Sequence, residues 1–276
     1  MTVRLTTLSE NTAHMGFLAE WGLSILVETD DCKVLLDSGM GISAAHNADL
    51  MGIDLSSVDK IVLSHAHTDH TGGLRDILRR MRKQVEVIAH PDIWIPKYVH
   101  FGEVSRYAGI PYTREELESL GAFFNLTSEP VRISDAVMTT GEIEMTTGYE
   151  KIDERLCIKS GERMVPDPLA DDLALVVKTG TGLAIITGCA HRGIVNTVRH
   201  VQKLTGSEYI HTIVGGTHLI LSSQERINST AEEIRELGLM RLGVSHCTGF
   251  NACAALAAEF GQIFFLNNAG TQISLD

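Results

Sequence analysis

The chain has 276 residues, 44% of them hydrophobic, which is enough for one large domain or two small ones around a substantial core. A net charge of −12 opposes binding to nucleic-acid phosphates, and no apolar run reaches the roughly 18 residues a membrane span needs, so neither partner is expected. Five scattered cysteines (Cys32, Cys157, Cys189, Cys247 and Cys253) without a CxxC pair argue against a disulfide framework, and residues 1–5 enter a strand-like pattern with no signal-peptide core. A reducing, cytoplasmic setting and a small-molecule substrate are therefore expected, with the oligomeric state left open.

In chain order, apolar β-branched runs predict strands at 23–28, 33–37, 60–63 and 85–89, with helices at 42–51 and 74–82. Between 91 and 171 the pattern loosens. This stretch holds all six prolines and several aromatics, among them Trp94, Tyr98, Phe101, Tyr107 and Phe124. It reads either as an ordinary insertion packed on the core or as a cap at about 91–171 that shapes a pocket. Strands then follow at 173–177 and 183–186, joined by Gly180-Thr181-Gly182. A helix at 193–204, a strand at 210–214, a helix at 224–237 and a strand at 241–244 come next, before a helix at 252–260 and strands near 263–266 and 272–275. Strands mixed with helices in both halves predict sheets inside and helices outside, a single α/β domain over 1–276.

The chemistry concentrates in Ser64-His65-Ala66-His67-Thr68-Asp69-His70, directly behind the apolar run Ile61-Val62-Leu63. A turn at a strand end can gather His65, His67, Asp69 and His70 around one small volume, and imidazole with carboxylate suits zinc, manganese or iron. Neighbouring residues on one loop cannot surround a metal pair, so further ligands are needed. Two histidines stand just after apolar strands: His191 in Thr187-Gly188-Cys189-Ala190-His191, and His246 in Ser245-His246-Cys247. Both are candidate ligands, since strand ends collect at one sheet edge.

The spacing His65-x-His67-x-Asp69-His70, followed by Gly72-Gly73 and a helix, resembles the signature of the metallo-β-lactamase superfamily. That resemblance implies an αβ/βα sandwich with the site along one edge of the paired sheets. It also implies two divalent ions, zinc first, with manganese or iron as alternatives. His65, His67 and His191 would serve the first ion. Asp69, His70 and His246 would serve the second, with Asp69 also placed in the catalytic role. Asp37, in Leu35-Leu36-Asp37-Ser38-Gly39, matches a turn that supports the metal loop.

This chain departs from the broad pattern at Gly188-Cys189, where many members carry a bridging Asp. Cys189 is read as a small buried residue facing the substrate pocket, with thiolate ligation as its alternative. Asp171 and Asp172 are candidate acids near the site, Asp172 as a substrate contact. His218, in Gly215-Gly216-Thr217-His218-Leu219, is a further candidate substrate contact. These blocks, with Glu10-Asn11, Glu20-Trp21-Gly22 and Thr187 to Asn196, are similar to a narrower branch that includes an archaeal dihydropterin–ribofuranosylaminobenzene phosphate synthase and many metal-dependent hydrolases. Thr68 and Thr217 stand where that branch often has Tyr and Phe.

Metal-activated water points to hydrolysis of a small molecule. The alternatives are a transferase like that synthase and a non-catalytic carrier of the same fold. A redox diiron site is disfavoured, because that branch has Glu where this chain has His67.

Overall fold

The computed structural model describes residues 2–275. The first sheet takes β1 (Val3–Ser9), β2 (Ser24–Glu28), β3 (Lys33–Leu36), β4 (Lys60–Val62) and β5 (Val85–Ala89). Then come β6 (Lys97–Phe101) and β7 (Val104–Tyr107), which lie elsewhere, and β8 (Ala122–Leu126), which closes the first sheet beside β5. A second sheet starts with β9 (Val137–Thr139). After β10 (Leu156–Ser160) and β11 (Arg163–Pro166) it takes up β12 (Ala174–Lys178), β13 (Leu183–Thr187), β14 (Ile210–Gly216), β15 (Arg241–Ser245) and β16 (Phe264–Leu266). The last strand, β17 (Gln272–Leu275), returns to pair with β1. The sheet orders are β17-β1-β2-β3-β4-β5-β8 and β16-β15-β14-β13-β12-β9.

The two sheets face each other through alternating apolar residues. Val27, Val34, Leu36 and Val62 of the first meet Leu175, Val177, Ala184 and Ile186 of the second in one buried cluster. Each such side chain contributes roughly 1.5–3 kcal/mol over leaving it in water. Outer faces carry the helices. On the first sheet these are α1 (Ser43–Leu50), α3 (Leu74–Met81) and α4 (Arg114–Ser119); on the second, α5 (Ile194–Thr205), α6 (Gln224–Glu236) and α7 (Phe250–Phe260); the four-residue α2 (Thr68–Thr71) follows the end of β4 instead. In α3, Leu74, Ile77, Leu78 and Met81 are buried at helical spacing, while Arg79 and Arg80 complement the dipole in its last turn. The αβ/βα order expected from the sequence is the order found.

The stretch 91–171 divides. Strands β6, β7, β10 and β11 build a separate four-stranded antiparallel sheet, but β8 and β9 are edge strands of the two main sheets. Reading the whole stretch as one insertion is therefore corrected. Phe124 of β8 packs edge-on against Trp94, 5.0 Å between centroids, so part of its aromatic enrichment belongs to the core. The small sheet abuts the histidine loop: Thr68 donates from its backbone to Ala108 O at 2.8 Å.

Candidate metal centre

The C-terminal end of β4 in the first sheet and those of β13, β14 and β15 in the second face one another along one edge of the packed pair, as strand ends commonly do at sites in α/β sheets. Two residues beyond β4 stands Ser64, whose backbone N–H and hydroxyl donate to the two oxygens of Asp37, both at 2.7 Å. With the hydroxyl proton so used, Ser64 Oγ accepts from His65 Nδ1 at 2.8 Å, leaving the lone pair on His65 Nε2. His70 Nδ1 donates to the same Asp37 oxygen at 2.7 Å. His246 Nδ1 donates to Asn11 Oδ1 at 2.9 Å, with Asn11 fixed by its own amide bond to His246 O. One buried carboxylate and one carboxamide thus aim three imidazoles by their far nitrogens.

Those nitrogens converge. His65 and His191 approach to 3.1 Å between Nε2 atoms, and His70 and His246 to 3.2 Å. Two tetrahedral ligands at metal–nitrogen distances of about 2.0–2.1 Å lie roughly 3.3 Å apart. His70 and His246 both donate from Nδ1, so the 3.2 Å gap between their Nε2 atoms is filled by a proton or by a metal ion. Burial disfavours charge on His70, yet the Asp37 and Asp69 carboxylates outweigh it and push its imidazole up to about 9. His67 is buried with Nε2 unpaired, a polar atom otherwise costing about 1–3 kcal/mol. Burial also holds His67 at about 4, and His65 and His191 well below the ordinary imidazole range, so all three are neutral at pH 7. Burial alone would raise Asp69, but the imidazoles of His70, His246 and His67 hold it far below the usual carboxylate range. These residues fit a bound metal pair.

Cys189 lies at the middle. Its Sγ is 3.1 Å from His70 Nε2 and falls within ligand distance of both the His65–His191 and the His70–His246 pairs. The sequence reading as a pocket-facing small residue gives way to a position shared by the two sets. Burial pushes the thiol up, so the thiolate needs a metal to form. Close packing puts the sulfur there: a Cβ on Gly188 would stand 2.0 Å from Ser64 Oγ. Backbone strain gathers at the same edge, with Asp37, Ala190, His218 and His246 all at positive φ between 48° and 59°.

The family model of the metallo-beta-lactamase superfamily matches residues 22–198. The chain belongs to this superfamily. It is 32% identical to 7,8-dihydropterin-6-methyl-4-(β-D-ribofuranosyl)-aminobenzene-5′-phosphate synthase of Methanocaldococcus jannaschii, over 97% of this chain and 95% of that one. An uncharacterised protein of the same organism is 34% identical over 91% of this chain and 92% of its own. Among solved structures, a metal-dependent hydrolase of the beta-lactamase superfamily superposes with a TM-score of 0.85 at 28% identity, covering 98% of both chains.

Within this superfamily fold the remaining sequence candidates separate. His218 packs against His191 with ring centroids 4.0 Å apart and planes tilted by 48°, and leaves Nδ1 unpaired. Asp172 accepts from Arg192 N at 2.9 Å, its Oδ1 has no partner, and burial pushes it up to about 7. Asp171 faces away from the histidines. Its Oδ2 accepts from Ala66 N and its Oδ1 from the buried Lys97, which Asp167 also binds. A further buried histidine, His90, is used elsewhere: it caps the turn after β5 with Nδ1 accepting from Asp92 N.

Sequence reasoning missed three supporting groups. Trp21 Nε1 donates to Asp69 Oδ2 at 2.9 Å, Glu10 Oε1 accepts from His246 N at 2.6 Å, and Lys97 braces the loop through Asp171. Glu10 and Trp21 were visible only as resemblance blocks. Lys97 carried no signal, since nothing local marks a lysine for burial.

Proposed function

We propose that the protein is a metal-dependent enzyme with a dinuclear centre that hydrolyses a small-molecule substrate. His65, His67 and His191 would hold one ion and Asp69, His70 and His246 the other, with Cys189 near enough to both sets to serve either. Zinc is the first choice for this nitrogen, oxygen and sulfur set. The observation carrying the reading is the convergence of buried Nε2 atoms at 3.1 and 3.2 Å, with their tautomers fixed from behind by Asp37, Ser64 and Asn11. Metal ions held there supply Lewis acidity, bringing the pKa of water toward roughly 7 and polarising an electrophile.

The chain's own groups do the rest. Trp21 keeps the Asp69 carboxylate turned toward His246, whose Nε2 is 3.2 Å from Asp69 Oδ2. Asp172, which burial pushes up to about 7, can take up or release a proton near neutral pH beside His191. The small sheet of β6, β7, β10 and β11 caps the pocket and shapes its specificity.

A second reading, a synthase that couples two molecules, is favoured by the 32% identity to the dihydropterin synthase over nearly the full length of both chains. Metal analysis and two assays test both readings. Reconstituted protein should carry two equivalents of metal, and His67→Ala should lose at least one; full occupancy in that variant defeats the ligand set. Hydrolysis of activated esters or phosphodiesters that stops on chelation supports the first reading. Silence on that panel, with formation of the dihydropterin–aminobenzene phosphate product from its two halves, replaces it with the second.

A further inference from the structure

Two cavities border the histidine cluster, and their chemistry is opposite. One, of about 440 Å³ beside His246, is walled mainly by Trp21, Ile220, Phe250, Phe264 and Leu266. The other, of about 430 Å³, is reached through His218 and walled by Lys151, Arg155, Arg226, Asp153 and the Ser222-Ser223 pair. Three permanent cations there face one carboxylate, in a chain whose overall charge is −12. Such a local reversal draws anions against the field of the whole molecule.

Asp153 offsets one of these charges through its ion pair with Arg155 Nε and Nη2, which leaves the surplus on Lys151 and Arg226. Arg226 is held by one nitrogen only: Nη1 donates to Lys151 O at 2.7 Å, while Nε and Nη2 are buried without acceptors. His218 Nδ1 is likewise unpaired. The wall also includes the start of α6, a 13-residue helix capped by Ser223, whose first N–H groups add positive potential. Unsatisfied donors and surplus positive charge in one cavity, beside a ring packed against His191, describe a seat for a doubly charged oxyanion.

We propose that this cavity binds the phosphate group of a phosphorylated substrate, whose apolar portion lies toward the second cavity and whose reacting bond lies between them at the histidine cluster. The proposal rests on the reading of that cluster as the reacting metal centre.

The test titrates inorganic phosphate into zinc-loaded wild type, Arg226→Gln and the double variant Arg155→Gln/Arg226→Gln by calorimetry. Metal content and thermal unfolding are measured on each sample. Charge-assisted hydrogen bonds of about 1.5–3 kcal/mol each predict that the double variant loses on the order of tenfold or more in affinity, with metal content unchanged. Equal phosphate affinity in wild type and double variant overturns the proposal. A measurement on wild type alone guards against variants that fail to fold. Phosphate should protect Arg226 from phenylglyoxal, read by peptide mass, and unprotected labelling at saturating phosphate also overturns it. Absence of bound zinc in the wild type would instead sink the metal-centre reading, while the Arg226 protection still reports on the cavity.

Discussion

Cys189 sits where a carboxylate would be the more familiar bridge, and the exchange has a spectroscopic consequence. A thiolate reaching both ligand sets gives cobalt-substituted protein a sulfur-to-metal charge-transfer band in the near ultraviolet. Cys189→Ser should remove that band while the six imidazole and carboxylate ligands keep at least one cobalt bound. A band that persists in the variant would place the sulfur outside the coordination sphere. The clustered histidines were legible as candidate ligands because their spacing after Leu63 is dense and their residue types are chemically specific. The role of Cys189 was not, since a lone cysteine after a strand looks the same whether it packs or ligates. Only the 3.1 Å approach to His70, a contact between residues 119 apart, separates the two.

Among the elements, β6 does more than its exposed strand partners suggest. It carries Lys97, 2% exposed, between Asp167 and Asp171, which are 1% and 0% exposed. Asp171 in turn holds Ala66 N at 2.9 Å, so the small sheet is bolted to the loop between His65 and His67. Lys97→Met leaves two buried carboxylates without their counter-charge, and should destabilise the protein by about 3–5 kcal/mol, read by denaturant unfolding. It should also weaken metal retention at His65 and His67. A variant of wild-type stability would show the triad to be dispensable.

The regular elements that flank the site, β4, β13 and β15, were readable from apolar runs because each is buried on both faces. Strands β8 and β9 were not, because both are short edges in a proline-rich stretch whose pairing partners lie far away in sequence. Helix α2 was missed for a related reason: at four residues it has no period to detect, and only the loop's own packing makes it.

At the scale of the whole molecule, the buried imidazoles couple the site to folding. Burial lowers His67 to about 4, and lowers His65 and His191 as well, while in the unfolded chain they titrate near 6.5. A depressed folded value means their contribution is fully present above about 6.5 and is lost as pH falls toward 4, because the unfolded chain takes up protons first. Chelator-treated protein should therefore lose several degrees of Tm between pH 7 and pH 4.5. His67→Gln should make that slope shallower, and a Tm that does not move across this window would separate the cluster from global stability.

The pairs that meet at the centre are 126 residues apart for His65 and His191, and 176 apart for His70 and His246. An ion seated between such partners closes very long loops of chain, as a cross-link does, and in the chain-entropy picture a tie of that span is worth on the order of 5 kcal/mol. Timing follows from the same spans. A ribosome delivers the first four ligands together and His246 far later, so no partial chain can assemble the complete ligand set. The centre is put together last, across a seam between halves made at different times.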